Sequence, residues 1–380
     1  MAAQFKRIIM VVVDGLGIGS APDASIFADQ GADTLGSLVR HFRARLQLPT
    51  LTRLGLGELH PPFSQHSVAP NHAYYGQARP TAVGKTGLEG AWELLGVPTT
   101  EEFTAFPQGF PPTLLAKIAR VVHRPVIGNQ PVKPVQALSR WGDEQQATGG
   151  IIIFTSGGSD LWLTAHETTM TNEELWTVGR QVRRLLDQQD NLNLSQLIAV
   201  PFGNDMLGGY LYRRSAAKVM PMAVPRPTVI SRLQAAGIPV QSLHSEGATA
   251  LQEQGHQLSK RQSGLWLTHL SAVDRAGRQR DPEVMGRSLG EVDRALGDLL
   301  PKLTADDLLL LTATHGNDPD FPGRALTREW VPLLAYSSRL VGGRLADRTS
   351  LADAAALILE NFGLASENTG NSFLTLLTLK

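Results

Sequence analysis

Residues 8–13, Ile-Ile-Met-Val-Val-Val, are apolar without a break and stop at Asp14-Gly15-Leu16-Gly17. A short unbroken run rich in β-branched residues predicts a strand buried on both faces, as in parallel sheets. Asp14 then stands at the carboxyl end of the first strand, the edge where open parallel sheets bind ligands. The C-terminal part alternates in the same way. Thr228 to Ala236 has helical spacing, Ile238-Pro239-Val240 opens a short strand, and Leu265 to Leu270 is another. Pro282 to Leu303 is a long amphipathic helix, with its proline suited to a first turn. Leu308 to Thr312 and Trp330 to Tyr336 are further strands. Strands alternating with helices predict an α/β fold with a doubly wound sheet.

The middle of the chain has its own pattern. Strands are expected at Val121–Val126, Ile151–Thr155 and Leu197–Val200, and a helix from Asn172 to about Gln188. Prolines cluster on both flanks, at 98, 107, 111 and 112 and at 221, 225 and 227. This predicts a core domain built from 1–98 and 224–380, with a smaller α/β cap domain inserted at 99–223.

Composition narrows the classes. The 380 residues carry a formal charge of zero, so no basic excess holds a phosphate backbone, and nucleic acid is not an expected partner. Cys is absent, which removes disulfides, thiolate nucleophiles and Cys-ligated zinc. No stretch approaches the roughly 18–20 apolar residues of a membrane span. The run after Lys6-Arg7 is too short for a signal-peptide core. A cytoplasmic protein with no membrane partner is expected.

Candidate chemistry starts at residues 311–330, LTATHGNDPDFPGRALTREW. His315 follows an apolar run, where a strand hands a ligand to a metal. Yet Thr314, not an acid, precedes it. The segments VVVDGLGIGSAPDASIFADQGADTLGSL (11–38), GKTGLEGAWELLGV (84–97), TSGGSDLWLTAHE (155–167), RPTVISRLQAAG (226–237) and THGNDPDFPGRALTREWVPLLAYS (314–337) resemble the phosphopentomutase family of the alkaline-phosphatase superfamily. The resemblance keeps its order over nearly the whole chain. It implies an alkaline-phosphatase-like core sheet with an inserted cap that grips ribose phosphate. It also implies a phosphorylated Thr nucleophile and two divalent metals, usually Mn²⁺, at the strand ends. Two cations lower the nucleophile's pKa and neutralise the transferring phosphoryl group. Such ions take carboxylates, and Mn²⁺ accepts imidazole too.

Carried over by residue, the resemblance is incomplete. Asp14 falls on a metal aspartate and His315 on a metal histidine. Thr314 falls on a metal aspartate and Leu326 on a metal histidine. In LTHLSAVDRAGRQRD (267–281), Arg278 takes another metal histidine. The metal aspartate of that stretch falls on Val273, or on Asp274 with a one-residue shift. No His lies between 270 and 314 or after 315. In the nucleophile segment, Lys85 to Glu93, Gly87 takes the place of the phosphorylated Thr. Thr86 lies one residue early, roughly 3.5 Å of chain, and a misplacement of about 1 Å already costs about a hundredfold in rate. On the substrate side, Gly158 replaces an aspartate, Val200 an arginine, and Ser245 falls near a lysine. Arg214 and Lys218 keep cationic character.

Several alternatives stay open. Asp14 is a metal ligand or a carboxylate capping the turn behind it. His315 is a ligand or a hydrogen-bonded structural histidine, and His166 looks structural. Arg278 either neutralises Asp14 and Asp274 in place of an ion, or joins Arg275 and Arg280 in a solvated loop. Lys85, Arg214, Lys218 and Arg278 form the candidate anion-binding set, against plain surface charge.

Three functions follow. The favoured one is a phosphopentomutase-like protein without metal-dependent phosphoryl transfer, which binds a small phosphorylated ligand or a protein partner. The second is an active, divergent phosphomutase or phosphatase with Thr86 as nucleophile. The third is a hydrolase holding one Mn or Zn on Asp14, Asp274 and His315. A paired metal site is not expected, because ligands of both metals and the nucleophile are missing together.

Overall fold

The computed structural model describes residues 3–60, 71–189, 192–245, 247–258, 263–323, 325–366 and 369–380. The chain divides into two compact units, one of residues 1–100 and 224–380, the other of residues 101–223. Strands β1 (Arg7–Val13) and β2 (Ala73–Ala78) lie in the first unit. The second unit holds β3 (Val126–Pro131), β4 (Ile151–Thr155), β5 (Asp160–Thr164), β6 (Gln196–Ala199), β7 (Phe202–Asn204), β8 (Tyr210–Tyr212) and β9 (Lys218–Pro221). The first unit resumes with β10 (Val240–Ser245), β11 (Gly264–Leu270), β12 (Asp307–Thr312), β13 (Val331–Tyr336) and β14 (Gly343–Arg344).

The sheet of the first unit runs β10-β11-β1-β12-β13-β2-β14. The four strands β10, β11, β1 and β12 are parallel, and β13 runs against both β12 and β2. Every residue of β1 and β12 is buried, which requires cover on both faces of the sheet. Helices supply it in two sets. Thr34–Phe42, Pro49–Arg53 and Thr249–Gln257 pack against the long helix Pro282–Leu299, while Gly87–Leu94 and Val229–Ala235 pack against Ala352–Asn361. The second unit has a five-stranded sheet, β3-β4-β5-β6-β9, and a separate hairpin of β7 and β8.

The structure departs from the sequence reading at two elements. The strand expected at Val121–Val126 is the end of a helix, Pro112–Val122, followed by β3 from Val126. Leu114, Ile118 and Val122 bury one helical face, and the 3.6-residue spacing outweighs the β propensity of two valines. His123 at φ 52° ends the helix in a left-handed cap. Arg275, Arg278 and Arg280 are exposed, as a solvated stretch would be, but the stretch is not a loop. It is mostly a helix, Ala272–Gln279, with Val273, Ala276 and Gly277 buried. Strands β2, β5, β7, β8, β9 and β14 have no counterpart in the sequence reading.

Candidate functional site

The parallel register brings several polar side chains to one edge of the first unit. Val12 pairs with His269 and His269 with His244, so three neighbouring strands end in step. Asp14 follows β1, and its N–H donates to Leu270 O at 3.0 Å. After β12 the chain passes through Thr314 and His315 to Gly316, which exchanges backbone hydrogen bonds with Thr327 at 3.2 and 3.0 Å. The helix Ala272–Gln279 then presents Asp274 and Arg278, one turn apart.

Asp14 is buried and touched at both oxygens. Thr314 Oγ1 donates to Oδ1 at 2.5 Å, and His269 Nε2 lies 2.5 Å from Oδ2. That contact is an ion pair when the His269 ring is protonated. Burial pushes the Asp14 carboxyl up, but His269, the nearby His315 and the Thr314 hydroxyl outweigh it and hold it below its ordinary value. Burial lowers His269 in turn, and the Asp14 carboxylate more than restores it, leaving it raised. His244 packs edge-on against His269, ring centroids 4.9 Å apart, and burial and that neighbour lower it.

Asp274 is bound just as fully. Asn317 Nδ2 donates to its Oδ1 at 2.8 Å and Arg278 Nε to its Oδ2 at 2.8 Å. His315 donates from Nδ1 to Gly316 O at 3.2 Å, and its Nε2 stands 3.9 Å from Asp274 Oδ1. Between these groups lies Gly87. A Cβ built there would be 3.6 Å from His315 Nε2 and 3.9 Å from an Arg278 nitrogen, so a side chain would fit. Thr86 is the N-cap of the helix Gly87–Leu94. Its Oγ1 accepts from Glu89 N at 3.2 Å while the Glu89 carboxylate accepts from Thr86 N at 3.0 Å, a capping box. Thr86, Thr314 and His315 share a cavity of about 10 Å³, room for one water-sized group.

The sequence reading placed Asp14, Asp274, Arg278, Thr314 and His315 at one site, and the structure gathers them. It chooses Asp274 over Val273, which is fully buried. It corrects the partner of Asp14, which is His269 and not Arg278; Arg278 reaches Asp274 alone. His269 and His244 went unnoticed, although an imidazole inside the apolar run Leu265–Leu270 was a signal. Lys85 bonds both Asp29 oxygens at 2.8 Å, so its charge is already matched. Arg214 and Lys218 are exposed residues of the second unit, Lys218 with its ammonium 4.7 Å from the Trp176 ring. His166 is buried there and bonds Thr168 and Asn204 at 2.7 and 2.9 Å.

A phosphopentomutase of Levilactobacillus brevis is 36% identical over 393 residues, spanning 98% of this chain and 99% of the relative. The chain belongs to the phosphopentomutase family. Residues 237–366 also match the model of the Metalloenzyme superfamily. Two solved structures align at lower similarity: the PH0037 protein of Pyrococcus horikoshii (13% identity, 94% of this chain and 98% of that one, TM-score 0.46) and a Leishmania mexicana phosphoglycerate mutase (12%, 97% of each, TM-score 0.44).

Membership of a metalloenzyme superfamily makes a divalent cation the expected cofactor, and the residues present can be tested against it. A stable site wants three or four converging donors. Among the described residues no group of three or more His, Asp or Glu is placed to hold a metal ion. Both Asp14 oxygens and both Asp274 oxygens are engaged by protein groups. The Arg278 guanidinium cannot ligate a cation and repels one. Leu326 is 4% exposed and has no donor. These residues do not fit the family's pair of metals.

Proposed function

We propose that this phosphopentomutase-family chain has lost metal-dependent phosphoryl transfer and acts in the cytoplasm by binding a small phosphorylated ligand or a protein partner. Position 87 carries the reading. The helix that presents the family's nucleophile is intact, with its capping box, and the place of the hydroxyl is a glycine facing His315 and Arg278. A glycine has nothing to phosphorylate. The adjacent Thr86 hydroxyl accepts a backbone N–H and closes the helix end. Phosphoryl transfer is mostly positioning and charge neutralisation, so a lost nucleophile together with lost cations leaves little of the chemistry.

A second reading has one observation behind it. Thr86 lines the same small cavity as Thr314 and His315, which would suit an active, divergent phosphomutase or phosphatase with Thr86 as nucleophile. Incubating purified protein with ribose 1-phosphate and Mn²⁺ separates the two. The expected result is no ribose 5-phosphate and no free phosphate above a no-enzyme control. Turnover that Thr86→Ala abolishes, or a phosphate found on Thr86 by mass spectrometry, would replace the first reading with the second.

A further inference from the structure

We infer that protein donors have taken the places of both cations, so that this strand edge is closed by its own side chains and folds without metal. Two of the three substitutions that delete ligands also supply donors. Thr314 stands where the family pattern has an aspartate, and its hydroxyl now bonds the retained Asp14. Arg278 stands where it has a histidine, and its guanidinium now bonds Asp274. His269 on Asp14 and Asn317 on Asp274 complete the pairing. Leu326, at the third lost position, is buried beside Thr327, whose backbone bonds the residue after His315. Each carboxylate therefore meets two side chains of the protein. An apolar side chain also occupies one former ligand position. An incoming ion would have to break these contacts and sit beside a permanent guanidinium charge.

The arrangement ties four segments together. Asp14 extends β1, His269 belongs to β11, Asp274 and Arg278 to the helix after it, and Thr314 and Asn317 to the loop after β12. By the family pattern, metals would cross-link three of these segments, all but β11, in a metal-holding relative. Here hydrogen bonds and ion pairs do so, and stability becomes independent of divalent ions.

The test is metal content and melting temperature of the purified full chain, alone, with EDTA, and with excess Mn²⁺ or Zn²⁺. The natural protein should carry well under one metal per chain, and its melting temperature should not move. A site in the micromolar range would raise it by several degrees at about a hundredfold excess of ion over its dissociation constant. The variant Thr314→Asp/Arg278→His/Leu326→His rebuilds the ligand pattern and should gain an Mn²⁺-dependent rise. Near-stoichiometric metal in the natural protein, or a shift of its melting temperature with either ion, overturns the inference. So does a folded triple variant that ignores Mn²⁺. Should the triple variant not fold, the measurements on the natural chain still decide. Metal binding without turnover would sink this inference and leave the proposed loss of transfer at position 87 standing.

Discussion

Two pairs of carboxylates in the first unit are satisfied differently. Glu93 accepts from the backbone N–H groups of Thr81, Ala82 and Leu351 and from the hydroxyls of Thr81 and Ser350. Glu329 accepts from the N–H groups of Gly19 and Thr34 and the hydroxyls of Thr34 and Thr327. These two acids pin loops by their main chains. The side chains of Asp14 and Asp274 are paired with other side chains, namely Thr314, His269, Asn317 and Arg278. Backbone amides do not change when a residue is substituted, so an acid that serves them has one acceptable identity. A side-chain partner can be exchanged for another. The anchoring carboxylates accordingly keep the fold of the family, while the strand-end pair could be rewired without unfolding it.

The hardest blow to that contrast would come from Glu93. Glu93→Ala strands five donors in a site that is fully buried. Each lost partner of a buried group costs about 1–3 kcal/mol, with partial relief from water entry. We expect a loss of about 4 kcal/mol or more, seen as a lower urea midpoint or as failure to accumulate soluble protein. A loss under about 1 kcal/mol would mean that backbone anchoring does not distinguish the two classes.

Much of this was legible in the sequence, for a physical reason in each case. The run Ile8–Val13 could only be a strand covered on both faces, so Asp14 had to emerge at its end. The string Ala91-Trp92-Glu93-Leu94-Leu95-Gly96-Val97 carried the family resemblance, and Glu93 proves to be an anchor of the helix Gly87–Leu94. The replaced ligands at 278, 314 and 326 were visible as residue types that offer a cation neither a carboxylate nor an imidazole. The new partners were harder to see. His269 meets Asp14 through strand pairing between positions 255 residues apart in sequence, and no local pattern encodes that. Strand β2, Ala73-Tyr74-Tyr75-Gly76-Gln77-Ala78, carries too little apolar alternation to stand out from its surroundings.

Glu329 sharpens the comparison through pH. It is completely buried, and burial pushes its carboxyl up to about 7 despite four donors. Its folded value lies above its ordinary value of 4.5. Between those two values the native state holds a proton that the unfolded chain has released. Stability from this group is therefore full below the ordinary value, falls as pH rises towards 7, and levels off beyond. Urea midpoints measured across that window should show the decline, and Glu329→Gln should flatten it. A natural protein whose stability rises through the same window, with the variant rising in parallel, would show that this anchor carries its charge without penalty.

The smallest effects are expected at the rewired pair, and their order matters more than their size. Thr314 is 2% exposed, and Thr314→Val keeps its shape while removing the one hydroxyl on Asp14 Oδ1. A buried carboxylate oxygen that loses its donor should cost about 1–3 kcal/mol. The Arg278 side chain is 47% exposed, and Asp274 keeps its bond from Asn317 when Arg278 becomes Ala. Screening by water then limits that loss to about 1 kcal/mol or less. Denaturation of the two variants side by side should place Thr314→Val below Arg278→Ala in stability. The opposite order would mean that charge, rather than burial of the acceptor, governs this edge, and that Arg278 is the centre of the rewired site rather than its outer half.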